Sequence, residues 1–99
     1  DMGMVVVKRI MDSKNEAYAN SMVCGFDGNQ AAIEAIQDGT LTLDVAQNGF
    51  DMGYKAVEAA VAVLNGETVE SFIDSGSTVV DESNVEDFVA DMKAKGLWE

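Results

Sequence analysis

Apolar positions recur along this chain with two different periods, and the changes of period mark its elements. Met4-Val5-Val6-Val7 opens with strand-forming valines, but the polar break falls at Lys8-Arg9 and Ile10-Met11 return at helical spacing, which predicts a helix. A polar linker covers residues 12–20. Met22-Val23-Cys24-Gly25-Phe26 then forms a short apolar run, the pattern of a strand buried on both faces, and Asp27-Gly28-Asn29 ends it. From Gln30 to Asp38, Ala32, Ile33 and Ile36 mark one face of a helix, with Gly39 where a left-handed stop belongs.

Thr40 to Ala46 alternates, with Leu41, Leu43 and Val45 set against Thr40, Thr42 and Asp44, which predicts a half-buried strand running into Gln47-Asn48. Phe50, Tyr54, Val57, Val61 and Leu64 follow at helical steps and make the clearest amphipathic helix in the chain, with Asn48 available as its cap and Gly66 beyond its end. Glu67 to Val80 reads as a connection with strand fragments around Asp74-Ser75-Gly76-Ser77, closing on the strand Thr78-Val79-Val80. Ser83-Asn84-Val85-Glu86 offers a capping box, and Val85, Phe88, Val89 and Met92 give a last helical stripe. Helices alternating with strands predict an α/β fold, a doubly wound parallel sheet with right-handed crossovers.

Composition narrows the class. With 99 residues the chain has room for one modest core. Its 47% apolar and 24% charged residues are ordinary globular usage. A net charge of −12 repels phosphate backbones and argues against nucleic acid as a partner. No apolar run approaches the roughly 18 residues of a membrane span, and no secretion signal is present in these residues. The single cysteine, Cys24, has no internal partner for a disulfide and reads as a small buried strand residue. Histidine is absent, which removes the commonest general base and transition-metal ligand.

In open α/β sheets ligands bind beyond the carboxyl ends of strands, so the residues just after apolar runs carry the candidate chemistry. Asp27 stands between Phe26 and Gly28; its carboxylate can accept hydrogen bonds from vicinal hydroxyls, or it can cap the next helix. Gln47 ends the second strand; its carboxamide both donates and accepts, as a sugar hydroxyl does, though a turn or cap role fits the spacing as well. Phe26 offers a ring for the apolar face of a sugar or for the core. The acidic residues Asp74, Asp81, Glu82, Glu86 and Asp87 read as solvated charges near a helix start rather than as a metal site. Asp27-Gly28-Asn29 begins like a calcium loop but has Ala32 where the loop needs glycine and Asp38 where it needs glutamate. No catalytic set and no cofactor motif is evident.

Val23-Cys24-Gly25-Phe26-Asp27-Gly28-Asn29, Ala32 to Gly39, Leu43 to Gln47, Asp51-Met52-Gly53 and Leu64-Asn65-Gly66-Glu67 resemble, in order and spacing, the C-terminal part of periplasmic sugar-binding proteins of the ribose-binding type, the solute receptors of ABC importers. That resemblance implies a non-enzymatic, cofactor-free receptor in which Asp27 and Gln47 hydrogen-bond sugar hydroxyls and Phe26 lies beside the pocket. It implies two lobes closing on the ligand about three chain crossings. Residues 1–47 would belong to the C-terminal lobe, 48–75 would pack on the N-terminal lobe, and 76–99 would return as a strand and the C-terminal helix. Its partners would be a monosaccharide, the N-terminal portion of the receptor and the transporter's membrane subunits, in the periplasm or at the outer side of a cell membrane. Asp1-Met2-Gly3-Met4 resembles the interior of a family motif, so the chain is expected to be a fragment of such a protein. Two alternatives are compatible with the sequence. One is the effector-binding domain of a sugar-responsive transcription regulator, which more often carries Asp-Asp where this chain has Asp27-Gly28; the other is a small α/β enzyme or phosphoacceptor module using Asp27.

Overall fold

A helical stripe wins over the valine-rich composition at the start of the chain. In the computed structural model, which describes residues 2–99, helix α1 spans Met2–Ser13, with Gly3 and Val7 buried and Met4 and Ile10 packed beside them. Val5 and Val6 fall off the stripe and are exposed. Strand β1 (Cys24–Asp27), helix α2 (Gln30–Gln37), strand β2 (Leu43–Gln47), helix α3 (Gly49–Leu64), strand β3 (Ser77–Asp81) and helix α4 (Val85–Ala94) follow, the element order the periodicity predicts.

The sheet has the order β1-β2-β3. β1 and β2 are parallel, as a helical crossover requires, but β3 runs antiparallel to β2, so the sheet is mixed rather than all parallel. The cause is where the chain leaves and returns. α3 departs from the carboxyl end of β2, and Ser77, the first residue of β3, pairs with Gln47, the last of β2. A strand that re-enters at the edge where its neighbour ended must run the other way.

Helices α1, α2 and α4 pack on one another over a single face of this sheet. Gly25, Asp44 and Val80 form one cross-strand row on that face and are buried. The next row, Phe26, Val45 and Val79, points to the opposite face, where Phe26 is 56% and Val79 52% exposed. The β1 run is therefore buried on one face only, and Cys24, expected to be buried, is exposed. The β2 alternation also changes phase. Leu41 is buried in the turn before the strand, with its N–H and that of Thr40 bonded to the Ala35 carbonyl. Within the strand it is Asp44 and Ala46, not Leu43 and Val45, that face the helices.

Ile33, Leu41 and Val80 fill the centre of the core, with Ala32, Ile36 and Val85 around them. Phe88 meets Trp98 edge to face at 5.8 Å and fastens the chain end to α4. Asn29 caps α2 by accepting the Ala32 N–H at 2.9 Å. Asn29→Ala should cost about 1 kcal/mol in chemical denaturation, the usual value of such a cap; a loss well below that would mean another group takes over the N–H. The expected caps at Asn48 and Ser83 do not form. Asn84 stands before α4 with its carboxamide turned back to the Asp81 N–H and the Val79 carbonyl, while Ser83 donates to Asp81.

α3, about 24 Å long at 1.5 Å per residue, contributes nothing to this core. None of its residues is buried, and Phe50, Tyr54, Val57, Val61 and Leu64 are all exposed. With residues 65–76 it draws the molecule out to 61 × 27 × 19 Å and a radius of gyration of 17.4 Å, against about 13 Å for a closed domain of this length.

Candidate functional site at the strand ends

Because β1 and β2 are adjacent and parallel, their carboxyl ends reach the same edge of the sheet. Asp27 pairs with Ala46, which places Gln47 one step beyond it. The two side chains meet: Gln47 Nε2 donates to Asp27 Oδ1 at 2.5 Å, and both residues are exposed. Neither serves as a helix cap. Asn29 takes that role at α2, and α3 begins without any side-chain cap bond.

Asp27 has φ +99°, a left-handed conformation that costs a non-glycine residue about 1–3 kcal/mol and persists only where its surroundings enforce it. Gly28 follows at φ +69°. Its N–H donates to Asp44 Oδ1 at 2.6 Å, so the turn is held from the helix-covered side of the sheet. Phe26 and Asp27 line an open depression of about 320 Å³, shared with Met2, Gly3 and Cys24, which is at the lower end of the usual range for small-molecule sites. A larger depression of about 420 Å³, lined by Val7, Ile10, Tyr18 and Thr42, lies toward the start of the strands, away from this edge.

Asp44 is the residue that periodicity did not single out. In the sequence it reads as a polar outer-face position, yet it is fully buried, with Oδ2 left without a partner. Burial, and secondarily the charge of Asp27, push its carboxyl above the usual carboxylate range, against the opposing pull of the Gly28 N–H. The signal that points to it is the pair of glycines, Gly25 and Gly28, on the neighbouring strand end.

Asn48 closes the same edge. Its carboxamide donates to the Ser75 carbonyl at 3.2 Å and accepts from the Thr78 hydroxyl at 3.5 Å, bridging the point where the chain leaves the sheet to the point where it comes back. Lys55 Nζ adds a bond of 2.6 Å to the Asp74 carbonyl. The acidic residues are spread among local roles: Asp74 accepts the Gly76 N–H, Asp81 the Ser83 N–H and hydroxyl, and Glu86 the Gln37 carboxamide. The Ser83 bonds hold the Asp81 carboxyl below its ordinary value. Among the described residues no three His, Cys, Asp or Glu side chains gather as they would around a metal ion, and no helix is long and apolar enough to cross a membrane.

An exposed carboxylate paired with a carboxamide at adjacent strand ends, beside an exposed ring, is equipped to grip a polyhydroxylated molecule. Comparison with known proteins gives the family. The sequence model of the periplasmic binding protein domain matches residues 2–68, more than half of the chain. The chain belongs to the periplasmic binding protein family. The ribose import binding protein of Salmonella typhimurium is 43% identical over 53 residues, which is 54% of this chain and 18% of that protein. A solved ABC transporter solute-binding protein from Agrobacterium vitis with bound D-fucose is 43% identical with a TM-score of 0.62, over 69% of this chain and 23% of that one. A carbohydrate transporter solute-binding protein from Agrobacterium radiobacter in complex with D-arabinose is 29% identical with a TM-score of 0.73, over 91% of this chain and 30% of that one. The chain thus has the α/β fold of periplasmic binding proteins, and its matches span less than a third of the length of these relatives.

Proposed function

We propose that this chain is the sugar-contacting C-terminal portion of a two-lobed, non-enzymatic receptor that binds a monosaccharide for an ABC importer, in the periplasm or at the outer face of a cell membrane. The observation that carries this is the Asp27–Gln47 pair, set at the shared carboxyl edge of two parallel strands with Phe26 beside it. Names of family relatives supply the ligand class: ribose import, D-fucose and D-arabinose.

In this arrangement the Asp27 carboxylate accepts from two neighbouring hydroxyls, Gln47 donates to one hydroxyl and accepts from another, and Phe26 covers a patch of C–H groups. In this reading residues 1–47 and 76–99 belong to the C-terminal lobe. Residues 48–75 pack on the N-terminal lobe, which supplies the partner that the exposed stripe of α3 lacks. The Asn48 bridge to Ser75 and Thr78 then ties two adjacent crossings together at the hinge. Calorimetric titration of the two-lobed receptor with D-ribose, D-fucose and D-arabinose tests this: at least one should bind with a micromolar or lower Kd. No heat with any monosaccharide would remove the proposal.

A further inference from the structure

We propose that Asp44 is a positioning residue for the sugar site: from the buried face of the sheet it locks the Asp27-Gly28 turn, and through that turn the direction of the Asp27 carboxylate. The proposal rests on the sugar-binding role of Asp27 given above.

Asp44 is the one charged side chain that is buried among the described residues. The surfaces closing over this face are apolar, with Ala32, Ile33 and Ile36 from α2, Val7 from α1, Val80 from β3 and Val85 from α4, and Asp27 is the charged group whose field reaches it. The backbone around it is built to admit a carboxylate. A Cβ at Gly25 would stand 2.2 Å from Asp44 Oδ2. A position meant only to fill the core would hold an apolar side chain, since a buried carboxylate oxygen without a partner is a standing penalty. What that penalty secures is the 2.6 Å bond from the Gly28 N–H to Oδ1, short as charge-assisted bonds are, fixed immediately after the residue held at φ +99°. Gln47 holds Asp27 from the exposed edge, and Asp44 holds the peptide behind it.

Two measurements decide it. In NMR of the 99-residue chain the Gly28 amide proton should lie downfield at neutral pH and move upfield as acid protonates Asp44. In Asp44→Asn it should stay upfield and lose that titration, while Asp27→Asn should keep it. In the two-lobed receptor, with the best-bound of D-ribose, D-fucose and D-arabinose as probe, Asp44→Ala should weaken binding by about fivefold or more, the effect of loosening one charge-assisted bond beneath the ligand contact. Asp44→Asn, which keeps an acceptor oxygen, should recover affinity to within about threefold of the parent. A Gly28 amide indifferent to Asp44→Asn overturns the proposal, and it does so even if Asp44→Ala fails to fold. So does Asp44→Ala binding like the parent while Asp27→Ala loses affinity. If Asp27→Ala itself binds like the parent, the sugar-site assignment falls and takes the proposal with it.

Discussion

Asp27→Ala in the two-lobed receptor should weaken monosaccharide binding by about tenfold or more, because hydrogen bonds to a charged acceptor are typically worth about 1.5–3 kcal/mol and each 1.4 kcal/mol is a factor of ten. The carboxylate is exposed at the strand end and one of its oxygens is already oriented by Gln47 Nε2, so little ordering is needed when hydroxyls arrive. Gln47→Ala should cost less, about two- to tenfold, since a neutral amide loses only about 0.5–1.5 kcal/mol per bond. As the two side chains touch, the double variant should lose less than the sum of the single losses. Calorimetry on the four proteins measures all of this. Unchanged affinity in Asp27→Ala would remove Asp27 from the site, and strict additivity would mean that the Asp27–Gln47 contact does not orient either group for the ligand.

Gly28→Ala should destabilise the fold by about 2–5 kcal/mol. A left-handed φ costs an L-residue roughly 1–2 kcal/mol, and overpacking adds roughly 1–3. Both penalties apply at Gly28, with φ +69° and a new Cβ that would sit 2.4 Å from the Ala46 Cβ and 2.8 Å from its Cα. The second of those contacts is with backbone paired in the sheet centre, so relief has to come from moving β1 against β2. Gly39→Ala is the internal control, with φ +77° and nothing within 4 Å of the added carbon, and should show only the conformational cost. Urea denaturation of the two variants separates the contributions. Equal losses would show that the strand ends yield freely, and would weaken the case that this edge is a rigid platform for Asp27.

Gly28 also illustrates how far the sequence could be read. A glycine after an apolar run signals a turn, and Asp27 and Gln47 are legible as strand-end residues because a continuous apolar run stops just before the first and an alternating run just before the second. Their meeting was not legible. It depends on β1 and β2 being neighbours in a register that pairs Asp27 with Ala46, a fact about twenty residues of intervening chain rather than about either local pattern. The place of Asp44 is hidden for a related reason: the alternation from Leu41 to Val45 has the pattern of one strand, whereas the chain turns after Leu41 and enters β2 in the opposite phase. Capping departs from the sequence pattern at Asn48, whose carboxamide is drawn to the distant Ser75 carbonyl, and at Ser83, whose hydroxyl donates to Asp81 instead.

By itself the sequence determined the order of helices and strands, the amphipathic stripe of α3, the strand ends that carry a carboxylate and a carboxamide, and the likeness to periplasmic binding proteins, since these are properties of short stretches and their spacing. Tertiary structure alone decided that β3 runs antiparallel, that helices cover one face of the sheet and leave the Phe26, Val45 and Val79 row open, that Asp27 and Gln47 touch, and that Asp44 is buried beneath them. The physical reason is shared by all four. Each depends on where the chain comes back after it leaves a strand, and hydrophobic periodicity within an element carries no record of that return.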